Sequence, residues 1–380
     1  MFSDEDNGTT EITSGEHEII QSALSWAEEE MEFIEVRPYA ETRGADAGSA
    51  LLRDIHKKPL RGTMSGRVPT MTFGMIYQDD IIRYVFGIKP PTTESTGIDH
   101  LISPITTRYE ESEVSRVNSS DSFIPINTGD HAIGASMEMV RHCCFPTSTF
   151  DSKKDRIEGD THAAFVPAMV GDHSTDRSML QVTFRPISSR WFGSGLQWQG
   201  MGDGRIKAEY RKKGEFVGGF TNPHVHEDPT SHMAAKEIEE QRGEKAYQAT
   251  IDVIAVSEDQ QAALQRINEM RDMFSDIDSS INDQELEATI LNGVDLYDAI
   301  DRMIRRIIPP QGTLSRRIKG PNRVFTYNQL ADGFVHLPTR EGKDSMTVNG
   351  TYVDYSEMES GQGVPASSPT PPEELVGSTD

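Results

Sequence analysis

Apolar residues recur at helical and strand spacings in short blocks along the chain. Residues 16–30 (EHEIIQSALSWAEEE) set Ile19, Ile20, Leu24 and Trp26 near one helical stripe, which predicts a short amphipathic helix. Residues 31–39 (MEFIEVRPY) read as a strand, and 44–58 as a helix that Pro59 stops. Two strands within 69–89, PTMTFGMIY and IIRYVFGIK, read as a pair across Gln78, Asp79 and Asp80. Ile98, Leu101, Ile102, Ile105 and Tyr109 then repeat at i, i+3, i+4, i+7 and i+11, one helix face that carries Pro104 inside it. This gives a β-α-β-β-α unit, assigned to residues 31–125.

The pattern then restarts. GASMEMVRHCCFP reads as a strand and a turn, and 160–172 as a short helix. In 178–188, Leu180, Val182 and Phe184 alternate with Gln181, Thr183 and Arg185, which predicts a half-buried strand. Residues 193–232 are Gly-rich and read as a long insertion or loop. QATIDVIAVS is another strand. Ser257-Glu-Asp-Gln260 matches a capping box, and Ala263, Ile267, Met270 and Phe274 follow at helical spacing, a helix of about 18 residues. Residues 324–339 end the ordered part. The expected fold class is α+β, with two sequential α/β sandwich units of mixed or antiparallel sheet, helices on one face. The expected domains are an acidic segment with a short helix at 1–30, units at 31–125 and 126–344, and a disordered Pro/Ser-rich tail at 345–380. The two units read as variations on one plan, without a repeat at the residue level.

Composition narrows the function classes. The chain has 380 residues with 35% hydrophobic and 26% charged, polar but able to build cores. No run of 18 apolar residues occurs, so no integral membrane segment is expected. The acidic N-terminus has no apolar core of a signal peptide, and the two cysteines are the adjacent Cys143 and Cys144, which fits a reducing compartment. The net charge is −24, with 61 acidic residues against 37 basic ones, and of the latter 25 are Arg and 12 Lys. Self-repulsion of that size is relieved in molar salt, where the Debye length falls to about 3 Å. An acidic, Lys-poor surface of this kind resembles proteins of salt-in halophiles.

Candidate chemistry is sparse. GxxxxGK[ST] is absent, and Met201-Gly-Asp-Gly204 lacks dinucleotide-loop spacing, so no nucleotide cofactor is expected. His224, His226 and His232, with Glu227 and Asp228, gather three imidazoles and two carboxylates in a stretch broken by Pro223 and Pro229. A polar surface loop accounts for them better than a metal site, because no CxxC or HExxH supports one. In His142-Cys143-Cys144, vicinal cysteines rarely pair, and two small hydrophobes in a strand explain the cysteines as well as a redox pair does. No nucleophile motif appears. The expectation is therefore a non-enzyme without cofactor or metal.

One stretch reverses the charge. Arg302, Arg305, Arg306, Arg316, Arg317, Lys319 and Arg323 fall in 22 residues with no acid among them. They form the candidate site, either for phosphate or for an acidic partner. The competing reading is an ion-pair network with the acidic stretch 276–301 upstream.

The order of short motifs carries a resemblance. Phe73…Ile76-Tyr77, Ile82-Arg-Tyr-Val-Phe-Gly87, the Ile98–Tyr109 helix and SEVSRV come first. Gly134-Ala…Met139, Phe145-Pro-Thr, Leu180-Gln-Val-Thr-Phe-Arg-Pro186…Trp191, Thr250-Ile-Asp-Val-Ile-Ala255 and Tyr327-Asn-Gln-Leu-Ala331…Val335-His-Leu-Pro338 follow. Together, over roughly 30–340, they resemble the N-terminal, non-ATPase region of conjugative-transfer ATPases, the type IV secretion-like and HerA-like family of archaeal mobile elements. The resemblance implies a stand-alone non-motor half. Such a protein would be a scaffold or adaptor of a DNA-transfer machine on a halophilic archaeal plasmid, provirus or integrated element. Its partner would be a separate Walker-type ATPase or another protein of that machine, with DNA contact and homo-oligomerisation left open. Its expected place is the cytoplasm, including the inner face of the membrane as a peripheral protein. The alternative is a structural component of a haloarchaeal virus or other assembly.

Overall fold

The computed structural model describes residues 8–38, 44–56, 68–79, 81–90, 97–110, 112–148, 161–188, 191–192, 201–211, 215–217, 224–226, 229–310, 322–338 and 364–365. The fold is α+β. Strand β1 (Thr10–Glu11) and helix α1 (Ser14–Glu30) lead into β2 (Glu32–Pro38), α2 (Gly44–Ile55), the hairpin β3 (Thr70–Gln78) and β4 (Ile81–Lys89), α3 (Asp99–Arg108) and β5 (Ser112–Val117). Then come β6 (His131–Met139), α4 (Thr161–Met169), β7 (Arg177–Pro186), β10 (Ala246–Ser257), α7 (Gln260–Asp272), β11 (Leu286–Leu291) and α8 (Gly293–Ile304). Between β7 and β10 lie α5 (Met201–Arg211), the small ribbon β8 (Glu215–Val217) and β9 (His224–His226), and α6 (Pro229–Glu240). The stretch read as a long loop at 193–232 thus carries regular elements of its own. Short β12 (Val324–Thr326) and α9 (Tyr327–Gly333) follow α8. The tail expected at 345–380 lies outside the described residues except for β13 (Val364–Pro365), which pairs with Ile81 and Ile82 of β4.

Every strand pairing is antiparallel, and the strands of both units join one sheet in the order β11-β6-β10-β7-β3-β4-β2-β5. Within it, β2-α2-β3-β4-α3-β5 and β6-α4-β7-β10-α7-β11 follow the same route. In each, the second and third strands form a hairpin, the first lies beside the third, and the fourth returns outside the first. That route is the split β-α-β arrangement, also called ferredoxin-like. The second unit differs by its insertion between β7 and β10. The halves meet where β3 pairs with β7, from Met71 opposite Phe184 to Tyr77 opposite Ser178. The common plan read from the residues therefore appears as a common topology.

Alternation along each strand divides the core in two. One face buries Phe73, Met75, Val182, Phe184, Ile251 and Val253 under α2, α3, α4, α7 and α9. Helix α9 is started by a capping box of Thr326 and Gln329, and Gly48 of α2 allows close approach of the chain after it, since a Cβ there would lie 2.5 Å from the Val335 carbonyl oxygen. The other face buries Ile76, Val85, Met179, Ile254 and Val256 under α1 and α8.

Two local expectations need correction. Helix α7 is capped by Asp259, whose carboxylate accepts the Gln261 and Ala262 amides, while the Ser257 hydroxyl donates to Asp176 at 2.6 Å. Strand β7 is not half-buried, because α8 and the turn after it cover its polar side. The Gln181 amide donates to the Met303 carbonyl at 2.9 Å and to the Thr183 hydroxyl at 3.1 Å, so these polar groups are buried with partners.

Candidate interaction groove

Helix α1 starts at a capping box. The Glu16 amide donates to the Thr13 hydroxyl, and the Thr13 amide donates to the Glu16 carboxylate at 2.8 Å. Its Ile20, Ala23 and Ala27 form the buried stripe. Ile19, one position around the helix from Ile20, points outward. Helix α8 begins at Gly293, whose φ of 51° suits glycine and whose amide donates to the Thr10 hydroxyl at 2.6 Å. Leu296, Ala299, Ile300, Met303 and Ile304 are its buried stripe.

The two helices lie side by side in the same direction. The Tyr297 hydroxyl near the start of α8 reaches the Glu11 carbonyl just before α1. At the other end, the Arg305 guanidinium lies 4.8 Å from the ring centre of Trp26 on α1, and the Lys89 ammonium lies 4.4 Å from the same ring. Between them runs a cavity of about 220 Å³ lined by Glu16, Ile19, Ile20, Ala23, Tyr297, Ile300, Asp301 and Ile304. The three large hydrophobics exposed among the described residues are Ile19 at 62%, Val294 at 75% and Ile307 at 42%. Ile19 lines the groove, Val294 stands one turn before Tyr297, and Ile307 follows Ile304 by three positions. Ile19 therefore extends the apolar lining on the α1 wall, and Val294 continues the Tyr297 face of α8, whereas Ile307 lies past the helix end, beyond Arg306 with its φ of 53°. The two helices carry eight carboxylates, Glu16, Glu18, Glu28, Glu29, Glu30, Asp295, Asp298 and Asp301; of these Glu16 and Asp301 line the groove, and Glu28 accepts the Ser119 amide.

The basic cluster singled out in the sequence does not form this site. The Arg302 guanidinium turns inward to Asp252 at 3.5 Å, and Arg305 bonds Asp301 at 2.6 Å. Arg306 is buried, donating to the Gln181 carbonyl oxygen at 2.7 Å and to the Ser122 carbonyl and hydroxyl at 3.1 Å. Burial pulls its pKa down to about 9 and removes it from any surface contact. Arg323 bonds Glu138 and the Pro309 carbonyl. Of these partners only Asp301 belongs to the upstream acidic stretch; Asp252 and Glu138 come from β10 and β6. Arg316, Arg317 and Lys319 lie outside the described residues.

The other candidates are also placed. Cys143 and Cys144 are free thiols in the turn after β6, and burial pushes the Cys144 thiol up to about 12 and Cys143 upward too. Neither is poised as a thiolate at neutral pH. His142 accepts the Cys144 amide at 3.1 Å, and burial with nearby Arg205 lowers it to about 4. His224 and His226 sit on β9, with side chains outside the described residues, and the His232 ring lies 5.6 Å from that of Tyr210. Among the described residues no group of three or more His, Cys, Asp or Glu side chains is arranged to hold a metal ion, and no helix is long and apolar enough to cross a membrane.

The groove itself was missed in the sequence. Its two helices lie more than 260 residues apart, and the one local signal was Ile19 beside Ile20, an isoleucine more than the stripe needs. No curated protein matches the chain. A family model described as Domain of unknown function (DUF8128) matches residues 3–348, a span that holds both groove helices and every strand except β13, and the chain belongs to the DUF8128 family.

Proposed function

We propose that the protein is a non-catalytic adaptor in a conjugation-like DNA-transfer machine of a halophilic archaeal mobile element. In this reading the α1–α8 groove holds a Walker-type ATPase or another protein of that machine. One observation carries the reading: a groove lined by Ile19, Ile20, Ala23, Ile300 and Ile304 opens between α1 and α8, with Ile19 exposed on its wall, and an exposed apolar patch rimmed by polar groups is the usual mark of a protein-binding surface. The order of motifs that resembles the non-motor region of transfer ATPases supplies the kind of partner. The net charge of −24 supplies the setting, because such a surface is least strained in concentrated salt.

The test is co-expression with a Walker-type transfer ATPase from the same source, followed by gel filtration in about 2 M KCl, where exposed charges are screened. Co-elution is expected for the wild type and its loss for the Ile19→Glu, Val294→Glu double variant, both positions being exposed. A wild-type chain that elutes alone from about 0.1 to 2 M KCl removes the reading.

A second reading, a structural component of a larger assembly, is favoured by the sheet margins. Among the described residues β5 pairs only with β2 and β11 only with β6, which leaves the outer edge of each available for another chain. Concentration-dependent filaments in light scattering would favour it over the adaptor.

A further inference from the structure

We infer that the element the groove takes is an amphipathic, net-basic helix of about three turns belonging to the partner protein. This rests on the adaptor reading and names the chemistry of its partner.

The form of the occupant follows from the walls. Both sides of the groove are helices whose backbone groups are bonded within their own turns, so they offer no row of free N–H and C=O to an extended segment. An occupant entering an apolar groove there must satisfy its own backbone, which a helix does. The floor is made of Ile20, Ala23 and Ile300, with small Ala23 leaving depth between the larger side chains. A third helix laid along two parallel ones packs its ridge into the furrow between them. The apolar face of α8 runs from Val294 to Ile304, and at 1.5 Å per residue it is about 15 Å long, which matches roughly three turns.

The charge of the occupant follows from the rim. Eight carboxylates stand on α1 and α8, two of them, Glu16 and Asp301, in the groove lining, against Arg302, Arg305 and the Lys89 of β4 at one end. The two arginines are spoken for, Arg302 by Asp252 and Arg305 by Asp301 and the Trp26 ring. Glu18, Asp295 and Asp298 are exposed around the open end near Ile19 and Val294. An acidic helix would bring like charges together there, whereas Lys and Arg flanking an apolar stripe would meet the rim with complementary sign. The apolar stripe supplies the contact that survives salt, and the basic flank supplies selectivity at low salt.

The experiment uses the full chain and a displayed library of 18-residue helical peptides, selected on the wild type and counter-selected on the Ile19→Glu, Val294→Glu variant. Circular dichroism and melting first establish that the variant is folded. Recovered peptides are expected to carry apolar residues at i, i+4 and i+7 with Lys or Arg on the flanks. A synthetic winner should bind the variant at least about tenfold more weakly than the wild type in fluorescence anisotropy. Changing its basic residues to Glu should weaken binding about tenfold at 0.15 M KCl and less than about threefold at 2 M KCl. Winners that bind both proteins equally, net-acidic winners, or no winners at all overturn the inference. If peptides behave as expected while the co-expressed ATPase elutes separately, the adaptor reading fails and the helix-binding groove stands. If the ATPase co-elutes but no helix discriminates the variant, this inference fails alone.

Discussion

The two faces of the sheet are built from the same strands and do different work. On one, Phe73, Phe184, Leu52, Phe165, Ile267 and Leu330 are buried together under five helices. On the other, the apolar patch under α1 and α8 covers only part of the strands, and polar residues continue the rows. Along β10, Ile254 and Val256 give way to Asp252 and Thr250; along β7, Met179 gives way to Gln181 and Thr183. The first face is stabilised by closure, and the polar groups buried there, among them His56, His162, His336 and the Tyr247 hydroxyl, meet backbone carbonyls. The second must hold Asp252 and Arg306 inside, and it leaves an apolar strip outside. A surface that keeps buried charges and exposed isoleucines gives up stability, and exposure of that kind serves recognition.

The largest effect should come from the closed face. Phe184 is fully buried at the junction of the halves, edge-on to Tyr247 with ring centres 5.4 Å apart. Phe184→Ala should lower unfolding free energy by about 3–5 kcal/mol, read from the denaturant midpoint at constant slope. A loss below about 1 kcal/mol would mean that this face is not where the fold is held.

The faces should also differ in their response to pH. His142, at the rim of the closed face, is lowered to about 4 by burial and Arg205. Its folded pKa lies below its unfolded value, so it contributes stability above about pH 6.5 that is lost as pH falls toward 4. From pH 7 to 4.5 that loss is roughly 2–3 kcal/mol. His142→Asn, which keeps an acceptor for the Cys144 amide, should flatten that part of the wild-type slope. A variant with the wild-type slope would place the acid sensitivity elsewhere.

Asp252, on the other face, should act with the opposite sign and a smaller size. Burial raises its carboxyl pKa, more than Arg302, Ser136, Thr250 and Arg323 lower it. A raised folded pKa in an acid means stability present below the unfolded value of about 3.9 and lost as pH rises through the folded one. Asp252→Asn should therefore stabilise at pH 7.5, with the gain shrinking toward pH 4. Destabilisation at pH 7.5 would show that the Arg302 pair outweighs the cost of burial.

How much of this was legible depends on how local each cause is. The helix faces of α3 and α7, the β3–β4 hairpin and the strand β10 follow from neighbours within one turn or one pleat. Strand β7 misled because its polar alternation describes side-chain chemistry, and only the distant α8 decides that Gln181 is covered. The edge strands β5 and β11, SEVSRV and LEATIL, have half-exposed faces and thus no apolar run to mark them. Arg306 looked like surface because arginine usually is, yet its φ of 53° and its bonds to Gln181 and Ser122 turn it inward. The groove was the least legible feature, being an encounter of two helices that tertiary folding alone brings together.

The smallest effect on stability is expected at that groove, and it sharpens the contrast most. Ile19 and Val294 are exposed at 62% and 75%, so shortening them removes little buried contact. If the closed face holds the fold and the groove serves recognition, Ile19→Ser and Val294→Ser should each change stability by no more than about 0.5 kcal/mol. The same pair should reduce the binding of 8-anilinonaphthalene-1-sulfonate to the folded protein, because the dye reports exposed apolar surface and the strip is the place where such surface is gathered. A structural role for these side chains would give the reverse result: a loss above about 1 kcal/mol each with dye binding unchanged or increased as packing loosens. Phe184→Ala is the control for that outcome, since it should raise dye binding while it lowers stability. The two substitutions at the groove and the one in the core must therefore move the dye signal in opposite directions for the division between the faces to hold.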